Sequence, residues 1–187
     1  MPLPNFDVDI TGNMRVASVA TTATGADALG LTVSGTLSDA GNAETDLMAN
    51  ADGAVTTLRV GALAPMGPNG LAVALDTLDA VVGNGDMRIR ETDDLNVASV
   101  ATPNGNMDLF TGGRMVPSEA TGTQSVVLLA LGDIAADAGL FSGDTISLFS
   151  LGGSLTGETG QFMLMDTSDG ADVRLVGQND IFCRETR

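Results

Sequence analysis

The chain has 187 residues, of which 24 are acidic and eight basic, giving a formal charge of −16 at pH 7 with no histidine, tryptophan or tyrosine. All the basic residues are arginines, so histidine general bases, lysine bases and Schiff-base chemistry are excluded. The balance provides no basic patch for nucleic acid or an anionic membrane, and no stretch is apolar for long enough to insert into one.

Twenty-four glycines, abundant Asp and Asn, and a hydrophobic fraction of 43% with only 3% aromatic residues predict many short strands joined by tight turns around small core side chains. Met1 to Asn13 has neither a charged n-region nor an apolar h-region, so no secretory signal is read there. Strands are expected over residues 30–37, 54–60, 71–75 and 78–82. The small, polar segments 22–30, 38–44 and 117–124 are expected to be projecting loops. From Asp86 to Gly113 three alternating runs follow one another. In DMRIRE, Met87 and Ile89 should face inward and Arg88 and Arg90 outward; in MDLFT, Met107 and Leu109 should oppose Asp108 and Phe110. In LNVASVA, Leu95 and Val97 share a face but Val100 is out of phase, which predicts a bulge or corner near Ala98 and Ser99. Asp133 to Gly139 (DIAADAG) is the one hint of helix, and further strands are expected over 125–131, 145–151, 162–166 and 172–176.

Some strand sequences return. Asp86–Thr92 (DMRIRET) and Asp180–Thr186 (DIFCRET) share four of seven residues, Met14–Thr21 (MRVASVAT) echoes Leu95–Thr102 (LNVASVAT), and Asp7–Thr11 parallels Asp86–Arg90. Echoes over 7–21, 86–102 and 180–186 indicate one unit, residues 1–187, built from stacked coils, with the heptad marking where a coil begins. The fold expected is all-β: a right-handed parallel β-helix, or β-solenoid, with an antiparallel β-sandwich as the alternative. In the solenoid, the pairs at 52–53, 69–70, 84–85, 104–105 and 169–170 are corners; in the sandwich they are hairpin turns. Coils of roughly 20 to 25 residues would number about 7 to 9 and span roughly 35 to 45 Å. A last copy that stops after one strand implies a longer chain or end-to-end self-association.

The block from Thr57 to Gly113 carries a recognisable phrasing. A strand such as LAVALDTLDAV leads through a Gly-rich turn to GDMRIRET, an acidic turn, a VASV-type strand and NMDLFTGG. This resembles the filamentous-haemagglutinin-like β-helix repeats of giant bacterial surface proteins and adhesins. The resemblance implies an extracellular, cell-surface structural role, without catalytic residues.

The remaining chemistry is sparse. Asp93 and Asp94 superficially suit paired-carboxylate hydrolysis of polysaccharide, but they sit in a turn between alternating strands and read as a solvated corner. Gly83 to Asp86 is only a fragment of the calcium-binding nonapeptide, leaving weak surface binding of calcium without a nameable site. No catalytic, cofactor or metal residue is assigned. Met87 and Met107 read as gap-filling core. Cys183 stands where the earlier heptad has Ile89, which makes it a buried small hydrophobe. Arg88, Arg90 and Glu91, with Arg184 and Glu185, are expected as charge ladders on an outer face, and Phe110 and Phe182 as outward contacts. The function expected is that of a rigid structural segment of an extracellular filament or adhesin. A polysaccharide-binding or polysaccharide-degrading module on the same fold is the alternative, and surface glycans are possible partners.

Overall fold

The structure, a computed structural model, describes residues 5–41, 45–64, 70–136, 140–157, 163–164, 172–179 and 181–182. Cys183, Arg184 and Glu185 lie outside this set, as do Asn69 and residues 169–170. Alternating apolar residues fold this chain into short strands that wind round a common core. Taken turn by turn, they are β1 (Phe6–Ile10), β2 (Met14–Val16) and β3 (Val19–Ala20); β4 (Gly25–Asp39) and β5 (Leu47–Ala49); β6 (Ala54–Leu63) and β7 (Leu71–Leu75); β8 (Thr77–Asn84) and β9 (Met87–Glu91). There follow β10 (Leu95–Thr102) and β11 (Met107–Thr111); β12 (Met115–Pro117), β13 (Glu119–Gly122) and β14 (Ser125–Ala130); β15 (Ile134–Ala135), β16 (Leu140–Ser142) and β17 (Thr145–Ser150); β18 (Leu155–Thr156), β19 (Met163–Leu164) and β20 (Asp172–Gly177); and β21 (Ile181–Phe182).

Strands pair with the turn above and below, in parallel. One sheet runs β20-β17-β14-β11-β9-β7-β5-β3; the other, larger sheet has the spine β1-β4-β6-β8-β10-β12-β15-β18-β21. This is a parallel β-solenoid, and the antiparallel sandwich is excluded. Asn104 and Gly105 close no hairpin, because β10 pairs with β8 and β12 while β11 pairs with β9 and β14. The larger sheet bends as it goes round. The first half of β10 pairs with β12 and its second half with β13, and its register against β8 shifts between Val97 and Ser99. That irregularity turns Val100 back into the core beside Leu95 and Val97, all at 1% exposure or less, as the out-of-phase pattern predicts.

The core is a set of columns. Leu71, Ile89, Leu109, Leu128, Leu148 and Leu175 stack in register through the smaller sheet. Met87 and Met107, both fully buried, start a neighbouring column that continues through Val126 and Ile146. Column spacing is what each coil must satisfy; coil length is free. Leu71 and Ile89 are eighteen residues apart, Leu128 and Leu148 twenty, and Leu148 and Leu175 twenty-seven, yet all stay in register.

Three expectations need correction. Residues 25–30 lie in β4, where Ala28 and Leu29 are fully buried and Asp27 takes a positive φ of 69° at a register shift. Residues 119–122 form β13, and Ala120 stacks between Val100 and Phe141. Small residues there resemble a loop in sequence, yet they are what fits beneath the largest side chain of the core. Residues 133–136, the described part of the helix expectation, are not helical. Ile134 is in a strand, in register with Met115 below and Leu155 above, so its main chain is already paired sideways.

The echoes also fall differently from the coil-start reading. Asp7–Ile10 belongs to β1 in the larger sheet, but Met87–Arg90 belongs to β9 in the smaller one, and Ile181–Phe182 pairs back in the larger. Met14–Ala20 is divided between β2 and β3, in different sheets, whereas Leu95–Thr102 is one strand. The copies share a strand pattern and not a place in the turn.

Candidate functional site

Main-chain amides left over at the corners explain most of the acidic residues that the structure places there. A carboxylate or amide oxygen that opens one turn accepts an N–H from the next. Asn13 Oδ1 accepts from Thr36 at 2.9 Å, Asp46 Oδ2 from Ala72 at 3.0 Å and Asp86 Oδ1 from Asn106 at 2.9 Å. Asp94 Oδ1 accepts from Arg114, and Asp133 Oδ1 from Ser154, each at 2.7 Å. Asp76 reaches the other way, accepting from Gly53 at 3.2 Å. Each bond satisfies a donor that the ladder leaves out and joins charge to a main-chain dipole. Glycine is required opposite the tightest of these: a Cβ on Gly113 would strike Asp94 Oδ1, and one on Gly153 would strike Asp133 Oδ1.

The pair singled out for hydrolysis is therefore divided. Asp93 and Asp94 are exposed at a corner, beside Asn50, Leu75 and Asp76 around a cleft of about 320 Å³. Asp94 is engaged by Arg114, and behind the cleft lies Glu91. The charge-ladder reading of Glu91 is overturned: it is fully buried, in phase with Met87 and Ile89. Its Oε2 accepts from Leu75 N–H at 2.7 Å and its Oε1 from Thr92 N–H at 2.8 Å, so this one carboxyl braces two turns. Burial pushes it up to about 7, against the pull of those two amides, with Asp93 adding to the rise. Asp46 is similarly raised to about 6, by burial first, partly offset by the Ala72 amide, with Asp39 pushing further; its Oδ1 is buried without a hydrogen-bond partner. The fragment Gly83 to Asp86 is bonded by the next turn: Asn104 Nδ2 donates to the Gly83 carbonyl at 3.0 Å, and Asp86 takes both Asn106 donors. Among the described residues no three metal-ligating side chains converge.

The outer face of the smaller sheet is different in character. Arg88 does form the expected ladder, bonding Asp108 at 3.0 Å, and Arg90 lies over the Phe110 ring at 4.6 Å. Outward from there the stacked residues turn apolar. Phe110 is followed in register by Leu129, Phe149 and Val176, all half-buried, with Val127 alongside. Just past the strand ends Leu131 and Leu151 are 47% and 46% exposed. Arg174 closes the far end, its guanidinium 5.3 Å from the Phe149 ring. Sequence reasoning found Phe110 and missed the rest. The signal was present in SVVLLAL and ISLFSL, which are apolar on both parities where a wet outer face would alternate. No family model, curated protein or solved structure matches this chain.

Proposed function

We propose that the chain is a structural β-solenoid segment of an extracellular bacterial filament or large surface adhesin, a stiff support that holds contact surfaces apart and in order. One observation carries this reading: the backbone ladders run unbroken in parallel through both sheets, and the polar side chains at the corners are engaged in holding one turn to the next. Such a stack resists bending because every inner turn is hydrogen-bonded to the turns on either side along the axis. The phrasing of Thr57 to Gly113 supports placement among surface β-helices, and the strongly negative charge suits a polymer that must stay dispersed in an ionic medium. The test has two arms. Small-angle scattering of the purified chain should show rods of constant cross-section that lengthen with concentration as copies stack end to end, and antibody against it should label intact cells of the source bacterium and lose its epitope on protease shaving. A compact monomer at every concentration, or an epitope reached only after lysis, would refute the reading.

A further inference from the structure

The geometry points to a docking site on the outer face of the smaller sheet for an extended acidic peptide with an apolar centre, laid along the solenoid axis. This deepens the reading above by naming a partner. Its test reads binding rather than shape or location, so the two fail separately.

The face has an order that a casual apolar patch lacks. Arg88 and Arg90 stand at one end, Arg174 at the other, and Phe110, Leu129 and Phe149 lie between them in register. From β9 to β20 is four strand spacings, about 19 Å. An extended peptide covers that distance with about six residues. Near Arg88 and Arg90 the surface dips into a shallow groove of about 250 Å³, which Asp108, Phe110, Val127 and Leu129 help to line. Among the described residues neither Arg90 nor Arg174 has a carboxylate partner; each lies on an aromatic ring. On a molecule of net charge −16, Arg90 and Arg174 stand at the two ends of one apolar strip, with Arg88 beside Arg90 already paired to Asp108, which complements an occupant that is acidic at its ends and apolar in the middle.

The same charges argue against the other occupants. Two copies meeting by this face about a two-fold axis would set Arg88 and Arg90 of one against Arg174 of the other. Meeting in parallel, they would set each arginine against itself. A copy approaching with the corners at Asp86, Asp94 and Asp133 would bring carboxylates already engaged by main-chain amides. An anionic polysaccharide would find its charge partners, but along Val127, Leu129 and Phe149 the one hydroxyl in register is that of Ser147, which is 8% exposed.

The experiment uses the full chain and a fluorescein-labelled peptide of alternating leucine and valine flanked by paired glutamates, with a lysine-flanked version as control. Fluorescence anisotropy should show saturable binding of the first peptide alone, weakening as salt rises. The double substitution Arg90→Glu with Arg174→Glu should weaken it at least about tenfold, and Leu129→Ser should weaken it as well; both lie outside the core, and circular dichroism checks that the fold is kept. Equal binding of the two peptides, or unchanged binding by the double variant, overturns the proposal. So does alginate binding to this face in preference to the peptide, or a dimer in sedimentation that the same substitutions dissolve.

Discussion

Glu91 makes stability depend on pH in an unusual direction for a carboxylate. An unfolded glutamate titrates near 4.5, whereas burial holds the folded group near 7. Between these values the folded chain keeps a proton that the unfolded chain releases, so stability is greatest below about 4.5, drains as pH rises to about 7, and is level above. The gap corresponds to about 3 kcal/mol, since each tenfold change in proton affinity is worth about 1.4 kcal/mol. Glu91→Gln removes the titration. It retains one oxygen for Leu75 or Thr92 but turns an NH₂ toward the other donor, so the variant should be less stable than wild type at low pH, by about 1 to 2 kcal/mol. Above about pH 7, where wild type has lost its advantage, the two should converge or cross. Urea unfolding at several pH values, in about 0.5 M salt to screen general repulsion, measures both curves. Asp46 has the same sign between 3.8 and about 6, so a residual slope should survive in Glu91→Gln and vanish when Asp46→Asn is added. A Glu91→Gln curve parallel to wild type across this window would refute the assignment of the buried carboxyl.

Leu128, fully buried between Leu109 and Leu148, should cost about 2 to 5 kcal/mol as alanine in the same unfolding assay. Asp94→Asn keeps the oxygen that accepts from Arg114 N–H and should stay within about 0.5 kcal/mol of wild type, while Asp94→Ala loses about 1 to 2 kcal/mol; equal losses would show that charge rather than the hydrogen bond matters. Gly113→Ala drives a methyl into Asp94 and should lower the melting temperature by several degrees, consistent with about 1 to 3 kcal/mol. Arg88→Ala breaks a half-exposed pair and should move stability by under about 1 kcal/mol in a thermal melt.

Local alternation was legible from sequence wherever one side of a strand is wet. Met87 against Arg88, Leu109 against Phe110, and the bulge beyond Val97 all follow from a period of two and its interruption. Corners were legible from Gly with Asn or Asp; Gly85, at a φ of 80°, is one. What failed had a common physical cause: contacts to the neighbouring turn decide the outcome, and they are roughly twenty residues away. Ala120 looks loop-like until Phe141 is placed above it. Asp94 looks like a free carboxylate until Arg114 supplies its amide. Glu91 sits in phase with two core residues, and charge alone hid the fact.

The placement of the echoed heptads on opposite sheets bears on how such a chain can change. If the sequence DMRIR serves in the smaller sheet and its relative DVDIT in the larger, a strand is an interchangeable rung that needs only compatible neighbours. A genetic duplication therefore need not span a whole number of turns to be accommodated, since the surplus leaves at a corner and the next strand takes up the column. Length becomes a neutral variable, and a gene for this fold can grow or shrink by fractions of a coil while its interior stays matched.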